Sequence, residues 1–327
     1  MIPFFKLIRW QNLLIVIITQ FLIRYALIAT LAGNMPLEGV MPEGMESYLG
    51  LRLPFTDFLI LVLSTVLITA GGYVINDYFD IRTDIVNKGE VIVGTRIPRR
   101  RAMMWHNILS GAGVILGFWV SYRINHMWLG IVFLLVSGLL YFYSVTYKRQ
   151  FLLGNIVVSI LTAMVPMLVV VFELAGMMNF YGPELISISA VKIIFYWVTA
   201  YGIFAFLTTL AREIVKDMED FEGDRAYGTR SLPVVAGIKA SGIVASVILS
   251  LTIVLMIVMW AMFIGDMLSL LYILLATVLP LVYCIIRLVG GGSRHLQKVS
   301  RAIKIVMLTG IFYTVLFWLI DNKGLSF

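Results

Sequence analysis

Charged residues are scarce in this chain. Asp, Glu, Lys and Arg make up only 13% of its 327 residues, whereas 61% are hydrophobic. Soluble globular domains carry about twice that share of charge. The composition therefore excludes a soluble protein and predicts an integral membrane protein. The net charge of +7 does not indicate nucleic-acid binding, because the basic residues cluster in short segments between apolar runs.

Cysteine and histidine are also rare. The single cysteine, Cys284, lies in an apolar run, which excludes an intramolecular disulfide and a metal site built from cysteines. The three histidines, His106, His126 and His295, lie in different regions of the chain. We therefore expect no metal site that depends on histidine.

Long apolar runs fill most of the sequence and predict about nine membrane-spanning helices within a single domain over residues 1–327. Continuous runs indicate helices, because the strands of a membrane barrel alternate in polarity and are about ten residues long. No small-residue cleavage site follows the first run, so we expect an uncleaved first span. The predicted spans are 11–31, 57–75, 103–122, 127–145, 152–174, 192–212, 240–263, 267–288 and 302–320.

The basic residues predict the orientation in the membrane. With the N-terminus in the cytoplasm, 20 of the 25 Lys and Arg residues fall on the cytoplasmic side. Cytoplasmic segments carry such an excess, so we expect the N-terminus inside and the C-terminus on the opposite side. The two longest charged segments, 76–102 and 212–239, then both face the cytoplasm.

These two segments share a pattern of acidic residues. The first has Asp77, Asp80 and Asp84, spaced three and then four, and Asn76 precedes them. The second repeats the spacing with Asp217, Asp220 and Asp224. Similar tails follow, Gly-Thr-Arg-Ile-Pro at 94–98 and Gly-Thr-Arg-Ser-Leu-Pro at 228–233. On a helix this spacing places the carboxylates on one face, where they repel one another.

A divalent cation turns that repulsion into binding. Mg²⁺ prefers carboxylate oxygens and usually takes one or two of them together with substrate phosphates. Two facing clusters predict a site for two or more Mg²⁺ around a pyrophosphate, with the spans providing an apolar slot for its hydrocarbon tail. The predicted substrate is a polyprenyl diphosphate. Solvated surface charges and an ion-pair network with the loop arginines are the alternatives, and neither explains the duplicated spacing.

Three stretches in order resemble motifs of the UbiA superfamily of intramembrane prenyltransferases. They are NDYFDIRTD at 76–84, YSVTYKRQFLLGN at 143–155 and DFEGD at 220–224. The resemblance implies helices around a central cavity, with both acidic motifs over its cytoplasmic mouth. It also implies Mg²⁺-dependent transfer of a prenyl group from its diphosphate to a lipophilic acceptor in the membrane, and no obligate protein partner is evident.

By position, the resemblance assigns roles to individual residues. The metal ligands would be Asn76, Asp80 and Asp84 with Asp77 beside them, and Asp220 and Asp224 with Asp217 as an additional acid. Asp80, Asp84, Asp220 and Asp224 would be the catalytic carboxylates. Lys148 matches the basic residue of the motif at 143–155, and Lys216, Arg230 and Arg96 are further candidates for the diphosphate. Tyr143 and Asn155 would line the substrate pocket.

The chain departs from the family pattern after the first acidic motif. Many members continue with Asn, a basic residue and Pro, and then a further Arg-Pro, whereas this chain reads Asn87-Lys88-Gly89-Glu90. Arg96 or the cluster at 99–101 would replace the missing arginine, although that cluster is also typical of a positive-inside anchor. The aromatic candidates for shielding an allylic cation are Tyr141, Phe142, Tyr143, Trp197, Phe204 and Phe206.

The stretch AREIVKDMEDFEGD at 211–224 resembles the geranylgeranylglycerol-phosphate geranylgeranyltransferase branch most closely, which predicts geranylgeranylglycerol phosphate as the acceptor. An aromatic acceptor on a quinone pathway is the alternative. A secondary transporter is an alternative of another class, because carriers also contain intramembrane acids and repeats. These acids lie at span ends, however, and Arg24 is the main charge within a span. The residue pattern of a CDP-alcohol transferase is absent.

Overall fold

The structure is a computed structural model that describes residues 2–35, 48–88, 91–182, 189–290 and 295–323. Within these residues, nine helices are long and apolar enough to cross a membrane. We number them α1 to α9: Trp10–Gly33, Phe55–Phe79, Arg99–Arg123, Met127–Val145, Leu153–Tyr181, Ser189–Glu219, Ile238–Ile264, Met267–Val289 and Leu296–Lys323. Short helices cover Ile2–Leu7, Ile81–Lys88, Phe221–Ala226 and Leu232–Ala236. The predicted all-α membrane fold is confirmed.

Several helices extend beyond the predicted spans. The clearest case is α6, which the sequence ended at residue 212 and which continues to Glu219. The prediction that 212–219 belongs to a loop is therefore wrong. These residues are mostly good helix formers, and Glu213 pairs with Lys216 one turn later, with 2.8 Å between the carboxylate and ammonium. Lys216 and Asp217 consequently project from a regular helix.

Small and polar residues join α2 to α3, which contact each other more extensively than any other two helices. Ser64 Oγ donates to the carbonyl of Gly113 at 2.7 Å, and His106 Nδ1 lies 3.0 Å from the carbonyl of Gly71. Small residues allow such close approach in membranes. His106 thus contributes to helix packing.

Three clusters of buried apolar side chains form the core of the described residues, and α6 contributes to the two larger ones. Its first half, with Ile194 and Val198, packs with α1, α2 and α5. Its second half, with Ile214 and Val215, packs with α7, α8 and α9, where Cys284 is also buried. Because one continuous helix spans both clusters, the two groups of helices are held in a fixed relation.

A buried ion pair connects α1 to α5. Arg24 Nε donates to Glu173 Oε2 at 2.9 Å, and both side chains are at most 3% exposed. The backbone amides of Arg52 and Leu53 donate to Glu173 Oε1 at 2.5 and 2.9 Å. The guanidinium also lies 4.5 Å from the ring centre of Phe58. Arg24, the main charge within a predicted span, is therefore a structural residue with a charged partner.

Candidate active site

The two acidic segments begin at matching breaks in the backbone. α2 ends at Phe79 and α6 at Glu219, and the next residue in each case is an aspartate. Asp80 has φ −88° and ψ 1°, and Asp220 has φ −88° and ψ 8°. Both breaks keep the helical hydrogen bonds, from the amide of Asp80 to Asn76 at 3.0 Å and of Asp220 to Lys216 at 2.9 Å. The duplicated sequence spacing thus corresponds to a duplicated local structure.

A short helix follows each break, and the two short helices, Ile81–Lys88 and Phe221–Ala226, pack against each other. The turns beyond them contain Gly94 at φ 92° and Gly228 at φ 70°, a region that favours glycine. The amide of Arg230 donates to the carbonyl of Arg149 at 3.0 Å. The fold therefore brings the second acidic segment next to the first and next to the Lys148 turn.

Asp80 accepts two side-chain hydrogen bonds at the end of the helix bundle that carries the two acidic segments. We call this the acidic end. Asn76 Nδ2 donates to Asp80 Oδ2 at 2.8 Å, and Lys148 Nζ donates to the same oxygen. Burial has the largest effect on the pKa of Lys148 and lowers it, but Asp80, Tyr143 and Asp84 together outweigh burial, so the pKa is raised overall. The ammonium is therefore charged at physiological pH and held against a carboxylate.

Close packing positions Lys148. The turn Tyr147–Arg149 leads to Leu152, which has a left-handed backbone at φ 55°, and α5 begins at the next residue. A Cβ on Gly154 would lie 2.7 Å from the Cα of Lys148 and 2.9 Å from the carbonyl oxygen of Tyr147. Only glycine allows α5 to approach the turn this closely, which explains the glycine in the motif at 143–155.

Two other predicted acids have defined partners. Arg9 Nη2 donates to Asp77 Oδ1 at 2.8 Å, so Asp77 faces the start of α1. Asn155 Nδ2 donates to Asp217 Oδ2 at 2.7 Å and connects α5 to α6. Asn155, a predicted pocket residue, is thereby placed to orient an acid. Arg96 and Arg230 are exposed in the turns after the two acidic segments.

The acidic segments have the chemistry of a divalent-cation site. Burial raises the pKa of Asp224, and the carboxylates of Asp220 and Asp80 raise it further, while Lys148 opposes the shift. Among the described residues, no three acidic, histidine or cysteine side chains already converge on one point. Mg²⁺ does not need such a cage, because one or two carboxylates suffice when phosphate and water complete the shell. The residues present therefore fit Mg²⁺ bound together with a phosphorylated ligand.

A cavity of about 420 Å³ opens beside these groups. Its polar part includes Asn76, Tyr143, Lys148, Lys216, Asp217 and Asp220, all of them predicted site residues. Its apolar part includes Ile68, Val136, Leu161, Val165 and Leu168. Along α2 the lining runs from Asn76 back to Thr65, a rise of about 16 Å, or half of the hydrocarbon thickness of a bilayer. The cavity is suited to a molecule with an anionic head and an apolar tail.

The sequence reasoning missed several polar residues of this cavity: Arg9, Asn12, Tyr73, Arg212, Glu213 and Lys304. The basic residues among them had been interpreted only as determinants of orientation in the membrane. The sequence did contain a signal for some of these residues. Arg212, Glu213 and Lys216 are one and then three residues apart, which places them near one face of α6. Lys304 lies within a predicted span, which is an uncommon place for a lysine without a function.

The predicted aromatic residues separate into different locations. Tyr143 lines the cavity, together with Tyr73 and Phe133, which were not predicted. Trp197 and Phe204 instead line a second, apolar cavity of about 190 Å³ between α6, α7, α8 and α9. Among the six candidates, only Tyr143 lines the cavity that adjoins the acidic segments.

Comparison with known proteins gives consistent matches. The UbiA prenyltransferase family matches residues 47–320. The digeranylgeranylglyceryl phosphate synthase of Methanothermobacter thermautotrophicus is 33% identical over 278 residues, or 83% of this chain and 89% of the relative. A solved structure of a digeranylgeranylglyceryl phosphate synthase in membranes has a TM-score of 0.59 at 24% identity, over 96% of this chain and 98% of that one. The apo structure of a UbiA homolog from Aeropyrum pernix K1 has a TM-score of 0.61 at 14% identity, over 91% and 97%.

Proposed function

Because the chain belongs to the UbiA prenyltransferase family, we propose that it transfers a prenyl group from a polyprenyl diphosphate to geranylgeranylglyceryl phosphate with Mg²⁺. The observation that carries the proposal is a cavity lined by residues of the acidic segments, by Lys148 and by apolar side chains of the interior. The acceptor is suggested by the relative at 33% identity, which is named for a product of this kind. The chemistry is ether formation at the hydroxyl of a lipid.

The diphosphate of the donor binds at the acidic end. Asp80, Asp84, Asp220 and Asp224 would hold Mg²⁺, with Asn76, Asp77 and Asp217 beside them, and the cation would supply positive charge to offset that of the diphosphate. Lys148 exchanges the Asp80 carboxylate for a phosphate oxygen as the allylic C–O bond breaks, since its charge stabilises the departing diphosphate. Lys216, Arg96 and Arg230 are the other cations available for this purpose.

The hydrocarbon tail of the donor lies among the apolar side chains of α2, α4 and α5. This placement leaves the reacting carbon near Tyr143, whose ring stabilises a developing allylic cation. The acceptor hydroxyl forms the new C–O bond and releases its proton, and the diphosphate departs with the electron pair of the broken bond. Exclusion of water by the apolar lining prevents hydrolysis of the donor.

The acidic end faces the cytoplasm in this proposal, with the N-terminus inside and the C-terminus on the opposite side. The distribution of Lys and Arg supports this orientation. Both the diphosphate and Mg²⁺ are then supplied from the aqueous side on which the acidic segments lie.

The test is diphosphate release by the purified protein in lipid with geranylgeranyl diphosphate, with and without Mg²⁺, across a panel of acceptors. We expect release that requires Mg²⁺, stops with EDTA and is stimulated by geranylgeranylglyceryl phosphate. Stimulation only by a hydroxybenzoate or naphthoate would move the protein to an aromatic acceptor. Substrate flux without any diphosphate release would contradict prenyl transfer.

A further inference from the structure

One wall of the cavity is unusually rich in cations. Arg9 at the start of α1, Arg212 and Lys216 on α6, and Lys304 on α9 all line it. These side chains belong to other elements than Asp80, which follows α2, and Lys148, which lies in the turn before α5. Cations that share a partly buried site repel one another, so their clustering costs free energy unless anions compensate.

Carboxylates act on three of the four cations of this wall. Arg9 pairs with Asp77. Glu213 forms ion pairs with two cations, with Arg212 Nη1 at 3.1 Å and with Lys216 Nζ at 2.8 Å. Glu219 also lines the cavity and interacts electrostatically with Lys216 and Arg212, which leaves Lys304 as the remaining cation of this wall.

Lys304 contacts no carboxylate in the described part of the chain. Its Nζ donates to the neutral Asn12 Oδ1 at 2.7 Å. The charged groups that act on it are the cations Arg212, Arg9 and Lys216. Its ammonium is therefore surrounded by charges of its own sign.

Arg212 has an unused donor. Its Nε is buried and finds no hydrogen-bond acceptor among the described residues. A buried donor without an acceptor is costly, and more so when it belongs to a charged group. A guanidinium edge next to an uncompensated ammonium is the arrangement that binds the oxygens of a phosphate.

We propose that Arg212 and Lys304 bind the phosphate monoester of the acceptor, separately from the metal-held diphosphate of the donor. The inference rests on the proposed function, because it assigns the headgroup of the proposed acceptor. A phosphate monoester has a charge near −2 and three acceptor oxygens, which satisfy the Arg212 Nε donor and the Lys304 ammonium together. The acceptor phosphate then anchors at α6 and α9, and its hydroxyl reaches toward the donor at α2 and α5.

The test is steady-state kinetics of Arg212→Gln and Lys304→Gln with geranylgeranyl diphosphate and geranylgeranylglyceryl phosphate. Each variant loses one charge-assisted contact with the acceptor phosphate, so we expect the acceptor KM to rise by at least about tenfold. The donor KM should stay within about twofold. Unphosphorylated geranylgeranylglycerol is the second acceptor, and the wild-type preference for the phosphorylated one should largely disappear in the double variant.

Three further variants make the test specific. Arg287→Gln removes the same charge from an exposed residue of α8 outside the cavity, and both KM values should be unchanged. Lys148→Met should raise the donor KM instead. Arg212→Lys keeps the charge but loses the Nε donor, so an intermediate acceptor KM is expected, and it remains informative if Arg212→Gln does not fold.

The inference would be overturned by a rise in the donor KM alone, which would assign Arg212 and Lys304 to the diphosphate. Equal losses with the phosphorylated and unphosphorylated acceptors would also overturn it, because that result indicates a structural role. Both results require a wild-type enzyme that uses the glyceryl phosphate. A wild type that accepts only aromatic substrates would instead refute the proposed function itself.

Discussion

Asp80 receives hydrogen bonds from Asn76 and Lys148 on the same oxygen, Oδ2. Asp220, at the equivalent break after α6, lines the cavity. Both residues lie where a membrane helix ends and a short helix begins. This position places a carboxylate at the end of a membrane helix without breaking the backbone hydrogen bonds.

Asp80→Asn and Asp220→Asn remove a negative charge and leave the side-chain volume nearly unchanged. We expect each to lower turnover by at least about a hundredfold, because a neutral amide binds Mg²⁺ weakly. The measurement is product formation per folded molecule, with folding checked by thermal unfolding in detergent. Asp321→Asn at the other end of α9 is the matched control. Wild-type turnover in either variant would remove that residue from the metal assignment.

Charges were the least predictable feature at the scale of residues. Arg9, Arg212 and Lys304 line the cavity, yet the sequence analysis interpreted them only as determinants of orientation. Arg24 looked like an isolated charge because its partner, Glu173, is 149 residues away. Hydropathy depends on each residue separately, whereas a charge acquires its function from a partner on another helix.

At the scale of elements, the number of membrane helices followed from apolar length, since a span needs about 20 residues. The helix ends did not follow, because helices such as α6 continue into the polar region on good helix-forming residues. The acidic motifs were recognisable from their spacing. The breaks at Asp80 and Asp220, and the packing of the two short helices, depend on contacts distant in sequence.

The junction between the Lys148 turn and α5 gives a prediction at this scale. Gly154→Ala places a Cβ 2.7 Å from the Cα of Lys148, so the turn must move and carry the ammonium away from Asp80. We expect kcat/KM for the donor to fall by about tenfold or more. Gly138→Ala in α4 is the matched control, because its Cβ would meet nothing within 4 Å.

The readout for both glycine variants is the donor kcat/KM together with the thermal unfolding midpoint. Gly138→Ala should retain the wild-type kcat/KM and be slightly more stable, as expected for alanine in a helix. If Gly154→Ala also retained the wild-type kcat/KM, close packing at this junction would not be what positions Lys148.

At the scale of the whole molecule, the ion pair between α1 and α5 is a major polar contact of the core. Glu173→Gln leaves the guanidinium of Arg24 buried without a negative partner. We expect a loss of about 3 kcal/mol in the free energy of unfolding, the usual range for breaking a buried pair. Unfolding in mixed micelles measures it, and the double substitution Arg24→Leu and Glu173→Gln, which keeps an acceptor for the amides of Arg52 and Leu53, should recover much of the loss.

Asp57→Asn is the comparison for this measurement. Asp57 accepts from Arg123 at 2.6 Å, but Arg123 is 45% exposed and can turn toward water when its partner is lost. We therefore expect a loss of less than about 1 kcal/mol. Equal losses for Glu173→Gln and Asp57→Asn would show that burial of Arg24 does not determine the strength of its pair.

The ion pair also bears on how the chain enters the membrane. Synthesis proceeds from the N-terminus, so α1 reaches the bilayer before α5 exists. At about 5–20 residues per second, the 149 residues between Arg24 and Glu173 correspond to a delay of roughly 7–30 s. During this interval Arg24 costs about 2.5–3.5 kcal/mol near the centre of a helix. The first span is then held only weakly in place.

Nascent chains truncated before α5 should therefore insert α1 incompletely, and Arg24→Leu should increase the inserted fraction in a glycosylation-mapping assay. In the full-length chain the same substitution should reduce stability, because Glu173 loses its cation. Arg24 thus hinders the insertion of α1 early in biogenesis but stabilises the finished bundle. We therefore expect α1 to be stably inserted only after α5, which carries Glu173, has entered the membrane.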